Sequence, residues 1–494
     1  MAPADGSDDE EASGAGSASV LVAPKDARAR EKWVAERMTA AIAARPKLAK
    51  VKLAVAVTDL TTGKPVWARE GDAGMNLASN AKLLTTIAAL GTLGSGFRWR
   101  TAVYATEFDE TTGIVKGDLH VRGRGDPTLG VTDLRTLATD LAARGVRVIE
   151  GKLVIDGSYF DAVVEPPHFD EQKLERSGFR APVASFGVAR SAVTIVVTAD
   201  VGGTGANIRI EPDAGDYVKI TKREVVTITE GRSRVRIDSK PKPSGVEIEI
   251  SGQIRASEGS WEQRRRIDDP ARFAAEVFRR ALAERGVKLK KGALGSGAVP
   301  PTAKLLAAHD SAPLGQVLRD MNKYSDNYIA ESVLKTLGAE TRASPGPATW
   351  ADGTAAVKTY LAAVGLPAGS YRSDNGSGLF GASQASANQF VKLLAAAHHD
   401  YRIGPDLLAS LPIGGVDGTL ARRWHGRPAQ GRVRAKTGTL DKVTTLAGYI
   451  GVDSGHPLAF AMFANEIPPG QRPAVRELVD ELVDILAAYL GATR

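Results

Sequence analysis

A serine and a lysine three positions apart, Ser79 and Lys82, are the pair of residues best suited to chemistry. On a helix this spacing puts both side chains on one face. A serine hydroxyl is a poor nucleophile at neutral pH and needs a base beside it. A lysine becomes such a base when burial or nearby positive charge lowers its pKa. The pair therefore predicts that Ser79 attacks a carbonyl group and that Lys82 takes its proton.

The same Ser-x-x-Lys spacing begins at two other serines, Ser239 and Ser332. Ser239 lies in a charged stretch with two prolines, where no helix would align the pair. Ser332 lies in a predicted helix, with its lysine expected on the solvated face. Ser79 instead follows a loop at 71–76 and precedes an apolar helical face, so we prefer it. The alternative for Ser79 is an ordinary small residue near the start of a helix.

A serine, any residue and an asparagine occur in that order at 325–327 and 373–375, with a looser match at 386–388. Ser325 falls at a break between two predicted helices, and a loop held by two helices aims a hydroxyl and an amide rigidly. The second stretch is a flexible glycine loop. We therefore prefer Ser325 and Asn327. The alternative is a serine that caps the following helix.

A Lys-Thr-Gly-Thr motif occurs once, at Lys436, Thr437, Gly438 and Thr439, on a predicted strand. A lysine there is able to hold a substrate carboxylate, and the glycine would let a substrate backbone come close. The alternative is a strand end followed by a turn residue. The three motifs together are more specific than any one of them, because their order and their predicted elements also agree.

The elements that must position these motifs alternate along the chain. Residues 52–60 and 65–69 predict a hairpin, and strands are also expected near the other end, within 433–464, before a closing helix at 472–490. Helices lie between. This pattern predicts one domain split in sequence, residues 25–98 and 300–494. The sequence also predicts an inserted α/β domain at 99–190 and 255–299, a nested β domain at 191–254, and a disordered tail at 1–24.

Composition is that of a soluble globular protein of roughly two to four domains: 494 residues, 43% apolar and 24% charged. The net charge is +7, and the basic residues are scattered, which gives nucleic-acid binding little support. There is no cysteine, so disulfides and thiolate chemistry are excluded. No stretch predicts a membrane span. Residues 1–20 show no export signal, so either the chain is cytoplasmic or a signal was removed before the numbering begins.

The combined motifs are those of penicillin-binding proteins and class A β-lactamases. Over most of residues 50–490 the chain resembles the low-molecular-mass class C penicillin-binding proteins, the serine D-alanyl-D-alanine carboxypeptidases and endopeptidases of peptidase family S13. Further matching stretches are 123–129, 375–379, 411–420 and 446–449. Phe380 departs from the family, which usually has serine there; this change alters the rim of the cleft and removes no catalytic group. The resemblance implies an α/β (α+β) fold with an antiparallel sheet and a helical lobe, interrupted by a two-part insert.

The resemblance also implies the reaction. The D-Ala-D-Ala end of a peptidoglycan stem peptide acylates the serine and releases D-alanine, and water or a second amine clears the acyl-enzyme. The implied roles are Ser79 as nucleophile, Lys82 as base, Ser325 with Lys436 as proton shuttle to the leaving amine, Asn327 as holder of the substrate amide and of Lys82, Thr437 and Thr439 with Gly438 as substrate-binding residues, and the N–H groups of Ser79 and Thr439 as oxyanion donors.

The partners implied are peptidoglycan stem peptides, with β-lactams as inhibitors that acylate the same serine. No cofactor, metal or nucleic acid is implied. The location implied is periplasmic or extracellular, with the export signal removed. The balance between carboxypeptidase and endopeptidase activity stays open.

Three other functions remain as alternatives. A β-lactamase would use the same site, but the long insert argues against it. A penicillin-sensing or wall-binding protein without turnover would keep the fold, yet every motif residue is present. A Ser-His-Asp hydrolase is the third alternative, but this sequence contains no Gly-x-Ser-x-Gly elbow. The glycines of 123–130 have the wrong spacing for a phosphate loop.

Overall fold

The computed structural model describes residues 21–200, 202–451 and 456–492; most of the predicted tail lies outside them. The described chain forms two compact units. The insert unit comprises Arg98–Ala312 and Arg342–Thr349, and the split unit comprises the described residues up to Phe97, Pro313–Thr341 and the described residues from Trp350 on. The domain boundaries expected from the sequence, including a separate nested β domain, stay a prediction.

Helices form much of the described chain, and the last of them falls where the sequence predicts a closing helix at 472–490. They are α1 (Ala27–Ala43), α2 (Ala81–Leu93), α3 (Val131–Ala143), α4 (Pro270–Glu284), α5 (Leu314–Tyr324), α6 (Asn327–Thr341), α7 (Trp350–Ala363), α8 (Ala387–His399), α9 (Gly404–Ser410) and α10 (Arg472–Gly491). None of these helices is both long and apolar enough to cross a membrane.

Strands, together with short 3₁₀ turns, make up the rest of the regular structure in the described ranges. They are β1 (Lys52–Asp59), β2 (Pro65–Arg69), β3 (Met75–Asn76), β4 (Arg100–Ala105), β5 (Phe108–Asp109), β6 (Ile114–Val115), β7 (Leu119–Arg122), β8 (Val148–Ile149), β9 (Leu153–Asp156), β10 (Ala192–Ala199), β11 (Ala206–Glu211), β12 (Val218–Ile228), β13 (Arg234–Lys242), β14 (Gly245–Arg255), β15 (Ser260–Arg266), β16 (Lys288–Leu289), β17 (Leu294–Ser296), β18 (Lys304–Asp310), β19 (Arg372–Ser373), β20 (Ser383–Ala385), β21 (Val433–Leu440), β22 (Val443–Ile450) and β23 (Leu458–Asn465).

The split unit is built on an antiparallel sheet whose strands follow the order β2-β1-β23-β22-β21. β1, from the start of the chain, pairs with β23, from its end, with Leu53 opposite Ala464. β21 forms one edge of this sheet. A small second sheet, β19-β20-β3, also belongs to this unit. Strands that are far apart in sequence therefore pair in one sheet.

Helices cover both faces of the five-stranded sheet. Val55 of β1 belongs to a buried cluster that includes Met38 of α1 and Leu482 of α10. On the opposite face α8 packs on β1 and β23, where Phe390 meets Phe463 edge-on with ring centroids 5.1 Å apart. Burial of each such side chain contributes about 1.5–3 kcal/mol. α2 is buried from its first residue through ten positions and is surrounded by α5, α6, α7 and α9, which makes it a rigid support.

The described residues of the insert unit form four sheets. Two of them mix parallel and antiparallel strands, in the orders β17-β9-β7-β4-β18 and β16-β8-β6-β5, with α3 and α4 packed together beside them. The other two, β11-β10-β15 and β12-β14-β13, come from residues 192–266, which include most of the stretch predicted as a nested β domain at 191–254. All four share one apolar core, to which Leu137 of α3 and Phe278 of α4 contribute.

One expectation about a helix face is wrong. The lysine of the Ser332 motif, Lys335, is fully buried instead of solvated. α6 packs against both α2 and α7, and the Lys335 ammonium lies 4.7 Å from the ring centroid of Trp350, the first residue of α7. A helix covered on two sides has no solvated face at that position, and a cation over an aromatic ring is stabilised by the ring's negative face.

Candidate active site

Ser79 lies on a single 3₁₀ turn, Ala78–Asn80, immediately before α2. Two buried hydrogen bonds tie this turn to β22: the Asn80 amide donates to Thr445 Oγ1 (2.7 Å), and that hydroxyl donates to the carbonyl of Leu77 (2.9 Å). The nucleophile candidate is thus anchored to the five-stranded sheet, and α2 begins directly after it.

Lys82, in the first turn of α2, is completely buried. Its Nζ lies 3.1 Å from Ser79 Oγ, 2.7 Å from Asn327 Oδ1 and 3.0 Å from the carbonyl oxygen of Ser377. Three acceptors satisfy the three donors of an ammonium group. The structure therefore brings the predicted Ser79–Lys82 pair into hydrogen-bond contact and adds Asn327 to it.

Ser325 lies at the predicted break between two helices. It ends α5 in the left-handed conformation, with φ 58° and ψ 35°, and α6 begins at Asn327. The helix cap is made by Asp326, whose Oδ1 accepts the N–H of Ile329 at 2.9 Å. Since Asp326 caps α6, the side chain of Ser325 is turned to a different partner.

That partner is Lys436, a fully buried residue of β21. The Lys436 Nζ donates to Ser325 Oγ at 2.8 Å and to the carbonyl of Thr437 at 2.7 Å. The hydroxyl of Thr437 in turn donates to Thr419 Oγ1 at 2.8 Å, in the stretch 411–420 that carried part of the resemblance. The second and third motifs therefore meet through one hydrogen bond.

Burial shifts the titration of both lysines. It lowers the pKa of Lys82 to about 7, against the carboxylates of Glu331 and Asp326, which raise it. Burial also lowers the pKa of Lys436 well below its ordinary value, and the charge of Lys82 lowers it further. The carboxyl pKa of Glu331 is raised by burial, in opposition to its hydrogen bonds and to Lys82. A lowered lysine pKa means that a neutral amine is accessible near pH 7.

Gly438 is required by the protein's own backbone. A Cβ at this position would lie 2.2 Å from Thr445 Oγ1, 2.9 Å from the carbonyl of Leu77 and 3.0 Å from the backbone nitrogen of Ser79. The sequence predicts that this glycine makes room for a substrate; in the structure it also allows β21 to approach the Ser79 turn. Strand glycines commonly mark such close backbone approach.

The competing serines lie on other elements of the structure. Ser239 lies on β13 of the insert unit, and Ser332 is buried within α6. Ser373 is buried on β19. Ser386 caps α8 through a capping box with Gln389. Phe380, expected at a cleft rim, has its side chain buried and a φ of 60°.

Sequence reasoning missed several polar residues around the site. Glu331 lies four residues after Asn327, a spacing that places both on one face of α6, and this spacing was the available signal. Ser377 contributes only its carbonyl to Lys82, so its side chain gave no signal. Asp417 pairs with Lys323 at 2.6 Å, across a distance in sequence that no local pattern spans. Among the described residues no three His, Asp or Glu side chains gather as a metal site.

Comparisons with known proteins agree with the family resemblance of the motifs. The profile of the D-Ala-D-Ala carboxypeptidase 3 (S13) family matches residues 34–489. The D-alanyl-D-alanine carboxypeptidase of an Actinomadura sp. is 34% identical over 463 residues, 90% of this chain and 83% of that protein. The D-alanyl-D-alanine carboxypeptidase DacB of Haemophilus influenzae is 27% identical over 403 residues, 81% of this chain and 82% of that protein.

A solved structure shows the fold. Penicillin binding protein 4 (dacB) from Haemophilus influenzae superposes with a TM-score of 0.75 at 24% identity, over 90% of this chain and 98% of that chain. The predicted α/β (α+β) fold of penicillin-binding type is thereby confirmed. With a family profile that spans most of its length and a relative above 30% identity across 90% of it, this chain belongs to the D-Ala-D-Ala carboxypeptidase 3 (S13) family of serine peptidases.

Proposed function

We propose that the chain is a serine DD-peptidase that cleaves the D-Ala-D-Ala end of peptidoglycan stem peptides, D-Ala cross-links of the same polymer, or both, through an acyl-enzyme on Ser79. The observation that carries this proposal is the 3.1 Å contact between Ser79 Oγ and the Nζ of Lys82, a lysine without solvent exposure. Two relatives named D-alanyl-D-alanine carboxypeptidases support this substrate class.

Lys82 serves as the base that removes the proton of Ser79. A neutral amine has two N–H donors and one lone pair. The Oδ1 of Asn327 and the carbonyl of Ser377 act as acceptors only, so they take the two N–H groups. The lone pair is then left for the Ser79 hydroxyl, which is able to donate. This geometry, with a pKa of about 7 caused by burial, matches the requirement for a base near the operating pH.

Ser325 and Lys436 return a proton to the leaving amine. The hydroxyl of Ser325 both donates and accepts, and the Lys436 Nζ at 2.8 Å holds it in place. Burial and the charge of Lys82 lower the pKa of Lys436, which favours proton release from its ammonium form. Lys82 takes the proton of Ser79. A second proton passes from Lys436 through the hydroxyl of Ser325 to the leaving nitrogen.

The substrate backbone docks along β21. This strand is the sheet edge, and its N–H of Ala435 already bonds outward, to the carbonyl of Pro412. Alternation along a strand puts the N–H groups of Thr437 and Thr439 on that same outer edge, where an extended peptide is able to add. The Thr439 N–H, together with that of Ser79, then receives the oxyanion. The hydroxyls of Thr437 and Thr439 bind the terminal carboxylate.

β-Lactams enter the proposal as acylating inhibitors of the same serine. A complex of the Haemophilus influenzae protein with a β-lactam supports this use of the fold. Because peptidoglycan lies outside the cytoplasmic membrane, we place the chain in the periplasm or the extracellular space.

Incubation of the purified protein with a stem pentapeptide and with a cross-linked peptide dimer, followed by mass measurement of the products, tests the proposal. We expect loss of one D-alanine from the pentapeptide, cleavage of the dimer, or both, and neither with Ser79→Ala. Ser332→Ala, the same substitution at a buried serine of α6, is the matched control and keeps the activity. Product formation that survives in Ser79→Ala, or no product from either substrate with the unmodified protein, would overturn the proposal.

A further inference from the structure

Glu331 is a buried carboxyl group that the reaction above does not use. It has no solvent exposure and lies on α6, one turn after Asn327. Its two carboxylate oxygens accept the N–H groups of Gly376 at 2.9 Å and of Ser377 at 2.8 Å. A buried carboxylate is costly unless it is hydrogen-bonded, and here both oxygens are. The side chain therefore holds one specific stretch of backbone.

That backbone leads directly to the base. The carbonyl oxygen of Ser377 accepts a hydrogen bond from the Lys82 Nζ at 3.0 Å, one of the three bonds that orient the amine. Glu331 is thus connected to Lys82 through the 376–377 backbone. Any shift of this backbone moves the acceptor that turns the lone pair of Lys82 toward Ser79.

The turn at 375–378 packs closely against the backbone on two sides. Gly378 has a φ of +73°, and a Cβ there would lie 2.0 Å from the carbonyl of Ala78, in the turn that carries the nucleophile. A Cβ on Gly376 would lie 2.5 Å from the carbonyl of Ala330. The Oδ1 of Asn375 closes the turn by accepting the N–H of Gly378 at 2.9 Å. The turn is therefore wedged between α6 and the Ser79 turn.

Glu331 and Lys82 also influence each other's pKa through their charges. The carboxylates of Glu331 and Asp326 raise the pKa of Lys82, and the charge of Lys82 lowers the pKa of Lys436. Lys82 in turn lowers the pKa of Glu331 against the effect of burial. A carboxylate near a lysine favours the ammonium form.

We infer that Glu331 is a positioning residue of the reaction, which acts by fixing the 376–377 backbone beneath Lys82 and by balancing the lysine's charge. The inference rests on the proposed function, since it assigns Glu331 a role through Lys82. Glu331 does not touch the reacting atoms; it decides where the amine lies and at which pH the amine is neutral.

The test is the pH dependence of acylation by benzylpenicillin, measured between pH 5 and 9 on the full chain. Glu331→Gln keeps the size of the side chain, removes its charge and leaves one acceptor oxygen for two N–H groups. Because the carboxylate raises the pKa of Lys82, we expect the acid midpoint of the rate to fall by about one pH unit. We expect the rate on the plateau to fall by about 10- to 100-fold, because the amine is misplaced.

Two further variants separate the possible causes. Glu331→Asp keeps the charge but shortens the reach, so we expect a lower plateau and a midpoint close to that of the unmodified protein. Should Glu331→Gln fail to fold, Glu331→Asp still decides: a reduced plateau supports the inference and an unchanged one overturns it. Ser332→Ala, the neighbour on α6, changes neither quantity and controls for general disturbance of the helix.

The outcomes also separate this inference from the proposed function. If the unmodified protein is acylated at Ser79 while Glu331→Gln keeps both the midpoint and the plateau, the role of Glu331 is rejected and the proposed function stands. A loss of plateau without movement of the midpoint would reject the charge-balancing part. If the unmodified protein is not acylated at Ser79, the proposed function itself fails.

Discussion

The amine of Lys436 lies 2.8 Å from the hydroxyl of Ser325, although 111 positions of sequence separate the two residues. If this contact passes the proton to the leaving amine, the two side chains act as one unit. We expect Ser325→Ala and Lys436→Ala each to lower peptide turnover by about 10²- to 10⁴-fold. The double variant is expected to lose little more than either single one. Steady-state turnover of the pentapeptide measures all three, and fully multiplicative losses would contradict the coupling.

Acylation is expected to depend on pH through Lys82. Burial lowers the pKa of this lysine to about 7, and only its neutral amine removes a proton. The acylation rate should therefore be near its maximum above pH 8 and fall as pH drops through about 7, tenfold for each further unit. Rapid-mixing measurements with benzylpenicillin give this profile. A rate that is unchanged from pH 8 to pH 5 would contradict Lys82 as the base.

Gly438→Ala should disable the site while the sheet still forms. The added Cβ would lie 2.2 Å from Thr445 Oγ1 and 3.0 Å from the backbone nitrogen of Ser79, so β21 must move away from the Ser79 turn. We expect a loss of about 1–3 kcal/mol in the free energy of unfolding, typical of overpacking, and at least about a 100-fold loss of acylation. Gly96→Ala, where nothing lies within 4 Å of the new Cβ, is the control. Equal behaviour of the two variants would show that the close approach is unimportant.

Asp417→Asn should destabilise the fold through a partly buried ion pair. Lys323 is almost buried and its Nζ lies 2.6 Å from Asp417 Oδ2, while Asp417 keeps a third of its side chain exposed. Removing one partner of a buried pair leaves a charge uncompensated. Because the pair is partly exposed the cost is reduced, and we expect the free energy of unfolding to fall by roughly 1–3 kcal/mol. Denaturant unfolding measures it. Glu36→Gln, which breaks an exposed pair with Lys32, should change stability by less than about 0.5 kcal/mol.

If the free energy of unfolding falls less in Asp417→Asn than in Glu36→Gln, the contact with Lys323 does not stabilise the stretch 411–420. A cycle that adds Lys323→Met separates the pair from its surroundings, because the double variant no longer leaves a lone buried charge.

The parts of the fold that were predictable from sequence are those with local causes. The closing helix at 472–490 follows from the apolar periodicity of that stretch, and the structure has α10 at Arg472–Gly491. The hairpin at 52–60 and 65–69 follows from alternation and a turn between the strands. Ser325 was placed correctly at a helix break, because two periodic segments stop and start around it.

The rest depends on tertiary contacts that no local pattern records. Lys335 was expected in solvent because a lysine on a helix usually is, yet α7 covers it with Trp350. The substrate-binding role of Gly438 stays a prediction, and the close approach of its backbone to Leu77 and Ser79 depends on tertiary packing that the motif does not record. The sequence gives no sign that Glu331 is buried, because a glutamate in a helix is ordinarily a surface residue; its burial comes from packing against the turn at 375–378.

The most direct test of the account is the location of a covalent penicillin adduct. The unmodified protein and the variants Ser79→Ala, Ser239→Ala and Ser332→Ala are treated with a fluorescent penicillin, and the labelled peptide is identified by mass. We predict one adduct, on Ser79, in the unmodified protein and in the two control variants, and no labelling in Ser79→Ala. Labelling that persists in Ser79→Ala, or an adduct mapped to another residue, would contradict the central claim that Lys82 activates Ser79.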